Sequence, residues 1–382
     1  MSVKRKILYL VRYPIYEDFN LRGKFDGQLQ AFRNLGLDVY YLVFDREYFY
    51  LIHNDTKQKL IRATTGLPMY FHTKVYYDMH RAAIKVLKQI RIDYVYWRDA
   101  PIWKSSLSVA RAAKEAEAKI LYEIPTYCKG GETDLTLARR MFRLYANLWE
   151  GKLMEYPDIF IFTGDADFDT FYGKPAVNID NGVSLDTLPL RRPRQNPDQI
   201  HILALASMSY WHGYDRLIRS LAAYQGDEKV TIHMVGGNDG GMLPEWKQLT
   251  DELKLEDRVI FHDKLYGDEL TCMFDLCDIG INSLALYRKN LDATSELKVR
   301  EYTARGLPFV CSVDDPAFRY AQEPFWIMVP NDDSVPDMEQ ILEFAKKMRT
   351  DPCHPVKLRK YAEQYMTWEG QYAAIFELFN KE

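Results

Sequence analysis

Two α/β domains are predicted, each a doubly wound parallel sheet with helices on both faces, and three observations carry that expectation. At 382 residues the chain is too long for one ordinary core and suggests two domains of about 150 to 200 residues each. Short apolar runs alternate with helical periodicity through the front half, which is the pattern of a parallel sheet flanked by helices. The same alternation restarts beyond a Pro/Arg-rich stretch, Leu188 to Pro197, that reads as an interdomain linker.

In order, the apolar runs Ile7 to Val11, Val39 to Phe44, Tyr94 to Trp97, Ile120 to Glu123 and Ile159 to Phe162 read as strands. Between them lie helical stretches at Phe25 to Leu35, His80 to Gln89 and Ile102 to Ala116, followed by a helix from about Leu135 to Tyr156. Asn181-Gly182 marks a turn after Ala176 to Ile179. Beyond the linker, strands are expected at Ile200 to Leu205, Val230 to Val235, Val259 to Phe261, Ile279 to Ile281 and Phe309 to Ser312, separated by helices such as Tyr214 to Ala223 and Leu243 to Leu253. A long helix, about Val356 to Asn380, closes the chain. The expected boundaries are 1–187 for the first domain, 188–198 for the linker, 199–355 for the second domain and 356–382 for the final helix.

Composition narrows the function classes. A 47% hydrophobic, 27% charged chain is globular, and 27 Tyr with 7 Trp supply many rings that carry a polar handle. No apolar run approaches the roughly 20 residues needed to cross a bilayer. Lys4-Arg-Lys6 and the short run after it read as a first strand, not a signal peptide. Five cysteines without paired CxxC spacing indicate neither a disulfide framework nor a zinc site, and fit a reducing cytoplasm. Residues 1–185 hold 27 Lys/Arg against 22 Asp/Glu and the rest 23 against 32, so the front half is mildly basic. That excess suits an anionic membrane or a phosphate-bearing acceptor better than nucleic acid.

The segment most suggestive of chemistry is Ser295 to Pro308, where a loop turns into a helix. Free N–H groups and the positive end of the helix dipole make such a start an anion site, Lys298 adds a point charge, and Glu301, one turn in, can accept from sugar hydroxyls. A capped surface helix ending at Gly306 is the other reading. Two further loops follow strands of the second domain: Ser207-Met-Ser-Tyr-Trp-His-Gly213, and Val235-Gly-Gly-Asn-Asp239 with its flexible Gly236-Gly237 turn. In doubly wound sheets, ligands sit outside the carboxyl ends of the strands. By the same rule Arg98, Glu123, Thr126 and Tyr127 are candidate ligand contacts in the first domain. The helix from Leu137 to Met154, with Arg139, Arg140, Arg143, Phe142 and Trp149, reads either as a core-facing helix with a basic outer side or as a rest for a membrane or lipid-linked acceptor.

The run Leu297 to Pro308, with the Trp211-His-Gly-Tyr-Asp-Arg216, Glu123-Ile-Pro-Thr-Tyr127 and Asn181-Gly182-Val183 segments in the expected order, resembles retaining glycosyltransferases of family 4, closest to bacterial members that build capsular or other surface polysaccharides. The resemblance implies a GT-B fold, two Rossmann-like domains facing a cleft, with the last helix crossing back to the first domain. It implies a nucleotide-diphosphate sugar as co-substrate, no other cofactor and no metal. The donor would be held by Ser207, Gly213, Gly236, Gly237, Ser295, Leu297, Lys298 and Glu301, with Lys298, His212 and Glu301 closest to the chemistry. The acceptor would be a saccharide or lipid-linked saccharide, and the setting cytoplasmic, with peripheral contact at an anionic inner membrane face as an option.

This sequence departs from the family pattern at four points. Ser207 and His212 stand where the family has Arg and Lys, Ala293 stands where it has the first Glu of its acidic pair, and Pro125 or Thr126 replaces its strand-end His. Asp165-Ala-Asp167 and Asp167-Phe-Asp169 match the Asp-x-Asp spacing of metal-dependent sugar transferases, but their setting reads as a helix N-terminal turn that acidic residues suit electrostatically. Rival readings are a nucleotide-sugar epimerase on the same fold and a degenerate, non-catalytic partner subunit.

Overall fold

The computed structural model describes residues 4–15, 21–64, 74–98, 100–125, 137–163, 169–194, 198–322 and 324–380. They form two compact units, Met1–Ile179 with Gln371–Glu382, and Asp180–Gly370.

In the first unit β1 (Lys6–Leu10), α1 (Arg22–Asn34), β2 (Asp38–Phe44), β3 (Tyr48–His53), β4 (Thr56–Arg62), α2 (Lys74–Gln89), β5 (Tyr94–Arg98), α3 (Lys104–Glu115), β6 (Lys119–Pro125), α4 (Leu137–Leu153), β7 (Ile159–Thr163), β8 (Thr170–Phe171) and β9 (Lys174–Ile179) follow one another. The sheet order is β4-β3-β2-β1-β5-β6-β7-β9-β8. Strands β2, β1, β5, β6, β7 and β9 run parallel, and the near-continuous apolar runs of β1, β5, β6 and β7 are buried on both sides, as βαβ crossovers require, while β9 is half exposed.

The antiparallel hairpins β3–β4 and β8–β9 are additions that the parallel pattern did not predict. Each has a local cause. Asn54 takes φ 49° in the first turn, and Tyr172 and Gly173 take φ 47° and 70° in the second, the paired positive φ of a two-residue hairpin loop. The helix start expected after Phe162 falls on 164–168, outside the described residues. Asp165 and Asp167 lie outside the described residues, while the Asp169 backbone carbonyl accepts from Ala176 N–H at 2.8 Å at the hairpin's base.

The second unit contains β10 (Ile200–Leu205), α5 (Tyr214–Ala223), β11 (Val230–Val235), α6 (Leu243–Glu252), β12 (Val259–His262), α7 (Gly267–Leu276), β13 (Ile279–Ile281), α8 (Leu297–Arg305), β14 (Phe309–Cys311), β15 (Trp326–Met328), α9 (Met338–Arg349) and α10 (His354–Tyr365). All six strands are parallel, in the order β12-β11-β10-β13-β14-β15. This is the doubly wound order that reverses beside its first strand, placing a topological switch point between β10 and β13. Helix α5 shows why the layers hold. Tyr214, Leu217, Ile218 and Leu221, spaced to share one face, are fully buried against the sheet. Each such aliphatic side chain contributes about 1.5–3 kcal/mol, and truncating Leu217 to Ala would cost about 2–5 kcal/mol.

The expected linker packs on the second unit: Arg191 N–H donates to the Arg305 carbonyl at 2.9 Å, and the Arg194 guanidinium meets the Asp278 carboxylate at 3.0 Å. The expected single C-terminal helix is two. It breaks at Thr367, whose Oγ1 accepts from Gly370 N–H at 3.2 Å and caps α11 (Trp368–Asn380). Residues of α11 from Gln371 onward belong to the first unit.

Candidate active site

The second unit gathers its polar side chains where the loops after β10 and β13 meet the start of α8. The loop after β10 winds through a short turn, Tyr210 to His212, into Gly213 and α5. Gly213 has φ +65° and a Cβ there would stand 2.7 Å from Ala285 Cβ, so only glycine lets this loop lie against the one after β13. Leu284 N–H to the His212 carbonyl (2.8 Å) and Ala285 N–H to the Trp211 carbonyl (3.3 Å) bind the two loops together. Arg288 then clamps them, reaching the Tyr210 carbonyl at 2.6 Å and both Asp215 carboxylate oxygens at 3.0 and 2.8 Å.

Lys298, in the first turn of α8, brings an ammonium to the loop after β13. Its ammonium donates to Ser283 Oγ at 3.3 Å and to the Tyr214 hydroxyl at 3.4 Å, with Glu296 Oε1 at 3.9 Å. Burial holds its pKa below the ordinary lysine value, although Glu296 and Cys311 pull upward. Glu296, at the N-cap position of α8, accepts the Ser283 hydroxyl at 2.7 Å and faces the Ser283 N–H at 3.4 Å.

His212 is neutral. Its Nδ1 accepts from Ser209 N–H at 2.9 Å, which leaves the ring proton on Nε2. Burial first, then Lys298 and Lys289, push its pKa down to about 2. At this position it offers one hydrogen bond and no charge.

Ser295 is held from behind: Asn181 N–H donates to its Oγ at 2.9 Å and the Asn181 side-chain amide donates to its carbonyl. Asn181 is itself tied by Arg300, whose Nε donates to its carbonyl at 3.0 Å while the guanidinium forks onto the buried Asp315 carboxylate. The loop entering α8 is thus fixed by the strand-end segment before the former linker. Leu297 opens the helix. Glu301, one turn in, accepts from Arg305 Nε at 2.8 Å through Oε1. Ser207 lies beside the β11 loop, its carbonyl accepting from Gly240 N–H at 2.7 Å. Gly236, at φ +142°, passes so close to Ala206 that a Cβ would stand 1.7 Å from its carbonyl oxygen, and Gly237 lies under the Lys264 side chain.

The first unit has its own polar cluster at the carboxyl ends of β5 and β6. Glu123, fully buried, accepts from Lys24 Nζ at 3.1 Å, from Arg98 Nη1, and from the Tyr96 hydroxyl at 2.9 Å. Burial pushes the Glu123 carboxyl up, but Lys24, Arg98 and Tyr96 outweigh it and hold it below the usual carboxylate range. Two cations thus share one ionised carboxylate. Arg98, 14% exposed against 0% for Glu123, is the member that can meet a ligand. Thr126 and Tyr127 lie outside the described residues.

Among the described residues no group of three or more His, Cys, Asp or Glu side chains could hold a metal ion, and no helix is long and apolar enough to cross a membrane.

Residues 199–346 match the family model of the glycosyl transferases group 1. No curated protein matches the chain in sequence. Among solved structures, a sucrose-phosphate synthase from Thermosynechococcus elongatus superposes with a TM-score of 0.68 at 15% identity, covering 99% of each chain. A glycosyltransferase from Rickettsia africae gives 0.63 at 14% identity, covering 99% of this chain and 98% of its own. Anabaena HepE, solved with UDP and glucose, gives 0.59 at 14% identity, over 99% and 100%. The fold is GT-B. With the group 1 match over the second unit, it supports a GT-B glycosyltransferase.

In this GT-B chain the folded second unit brings Ser207, His212, Gly213, Ser295, Leu297, Lys298 and Glu301 to the carboxyl-end side of one sheet, around the switch point. Sequence reasoning did not find Ser283 or Arg288, and it assigned no role to Glu296 or Tyr214. Their only signal was position, since Ser283 follows a strand by two residues and Glu296 directly precedes a helix. In the first unit Lys24 and Tyr96 were likewise missed.

Proposed function

We propose that the protein transfers a sugar from a nucleotide-diphosphate donor to a hydroxyl of a saccharide or lipid-linked saccharide, with retention at the anomeric carbon, in surface polysaccharide synthesis. The observation that carries this is the convergence, at the switch point of the second sheet, of a helix start with a nearly buried lysine. Free N–H groups at the start of α8 and the Lys298 ammonium suit a diphosphate there, and His212 Nε2–H adds one uncharged donor. As the bond from the anomeric carbon to the phosphate oxygen breaks, negative charge grows on the leaving diphosphate. Fixed donors aimed at that charge stabilise it more than the ground state, and losing one such donor typically costs about 10²–10³ in rate. The acceptor oxygen forms the new bond and its proton leaves to the departing phosphate.

The side chain of Glu301 keeps one carboxylate oxygen beyond the Arg305 contact, and its role is to orient the donor ribose. Arg98, held by Glu123, is the acceptor-side contact, and the reaction is cytoplasmic and independent of metal. Incubation with radiolabelled nucleotide-sugars tests the proposal. Nucleotide release that requires an added acceptor supports transfer; acceptor-free conversion of the donor sugar would make the protein an epimerase, and no turnover with any donor would make it a non-catalytic partner.

A further inference from the structure

The short turn Leu286–Lys289, after β13, ends in a lysine to which the sequence alone assigned no role. Its backbone is fixed on both sides: Arg288 N–H donates to the Ala285 carbonyl at 3.1 Å, and Asn290, left-handed at φ 53°, donates its N–H to the Tyr287 carbonyl at 2.9 Å. The Lys289 ammonium lies over the Trp211 ring, 4.6 Å from its centroid. Trp211 is itself seated edge-on against Tyr210 at 5.1 Å and lies 5.6 Å from the His212 ring. At a site this open, a cation on an indole face is favoured only about two- to fivefold, so the ammonium is placed there yet free to turn to a stronger partner.

Charge pairing separates Lys289 from the other cations of these loops. Lys298 has Glu296 Oε1 at 3.9 Å, and Arg288 forks onto Asp215 at 3.0 and 2.8 Å, so a carboxylate stands against each. Lys289 is exposed and makes no ion pair or hydrogen bond among the described residues. Its charge still reaches the site, where, after burial and Lys298, it is the third influence that keeps the His212 imidazole neutral.

We propose that Lys289, carried on Trp211, is a second diphosphate-binding cation, meeting the donor's phosphates from the exposed side of the loops while Lys298 meets them from the buried side. This rests on the donor-site reading above and adds the unpaired charge that reading lacks. The diphosphate arrives multiply charged, and further charge grows on it as the bond from the anomeric carbon breaks and leaves its electron pair on the phosphate oxygen. Lys298 with a glutamate beside it, and a neutral His212, compensate little of that. A compact ammonium on a flexible stem can leave the ring and turn its donors to a phosphate. The two lysines do not replace each other, since Lys298 is nearly buried beneath the loops and Lys289 stands on them.

Titration calorimetry on the full chain with UDP, ADP, GDP, CDP and TDP finds the diphosphate that binds best, and displacing it with its own nucleoside gives the affinity without phosphates. Lys289→Met keeps the stem on Trp211 and removes the charge. It should weaken the diphosphate roughly tenfold, the low end for a charge-assisted bond because the site is open to solvent, and leave the nucleoside within about twofold and the melting temperature unchanged. Lys289→Arg, which restores the charge and stacks on the ring, should recover most of the affinity. The parent's diphosphate affinity should also fall more steeply with salt than that of Lys289→Met. A diphosphate affinity that Lys289→Met leaves unchanged overturns the role of Lys289 while the donor site stands. Equal losses for nucleoside and diphosphate overturn it as well, because the residue would then act on the shape of the loop. A parent protein that binds none of the five removes this proposal together with the donor-site reading.

Discussion

Replacing Lys298 with methionine isolates the charge at the candidate donor site while keeping the aliphatic stem. In the parent protein the Lys298 side chain is 10% exposed, with oxygens of Ser283 and Tyr214 at 3.3 and 3.4 Å from its ammonium and of Glu296 at 3.9 Å. Its burial already costs desolvation, as the lowered pKa shows. Removing it therefore relieves one cost while leaving Glu296 with its Ser283 hydrogen bonds, and the net change in fold stability is within about 1 kcal/mol. A bound nucleoside diphosphate, by contrast, loses a charge-assisted hydrogen bond with no substitute, since His212 is neutral. Such a bond contributes about 1.5–3 kcal/mol, so affinity for UDP should fall roughly tenfold to a hundredfold. Titration calorimetry with UDP reads the affinity and a thermal melt reads the fold. An affinity within twofold of the parent, with the melt unchanged, would refute the placement of the diphosphate beside Lys298.

Glu301→Ala should weaken nucleotide binding about tenfold while the fold survives, because the Arg305 it releases keeps Thr271 and the Phe274 ring; unaltered calorimetry would remove Glu301 from the donor site. Gly213→Ala forces a left-handed residue into contact with Ala285, so it should lower stability by about 1–3 kcal/mol and weaken UDP binding with it, read by urea melts and calorimetry. His201, His233 and His262 link side to side across β10, β11 and β12 at 2.7 and 3.0 Å, with burial the main cause of lowered pKa values, His233 at about 4. Below pH 6.5 the unfolded chain takes up protons that these imidazoles resist, so stability should fall as pH drops from about 6.5 toward 4. His233→Asn should flatten that slope in melts taken across the range. Activity in radiolabelled transfer should persist in excess EDTA; a loss restored by Mn²⁺ or Mg²⁺ would reverse the metal-independent reading.

What was legible in the sequence was whatever repeats along a strand or helix. The five strands from β10 to β14 announced themselves as apolar runs between turns, and α5 by its spacing alone. The hairpins were hidden by the expectation they interrupt, although Asn54-Asp55 after an aromatic-rich strand and Tyr172-Gly173 are turn signals. The helix start at α8 was readable from Ser295 to Gly306, but its charge balance was not. Glu296 meets Ser283 across 13 residues, Lys298 meets Tyr214 across 84, and Arg288 meets Asp215 across 73. Those meetings follow from strand order, which local periodicity does not encode. His212 could be named from its motif, yet its neutrality depends on burial and on the Ser209 N–H.

The contact between Gln28 and Tyr372, 344 residues apart in sequence, bears on the order in which the chain can finish folding. Tyr372 stands over Phe32 and Tyr96, and Phe376 meets Phe32 and Tyr94, so α11 completes the first unit's core from the far end of the chain. On the ribosome the first unit therefore waits with the part of that face beside α1 uncovered while the whole of the second is made. The usual vectorial sequence, first domain first, is inverted: the domain begun earliest is sealed last.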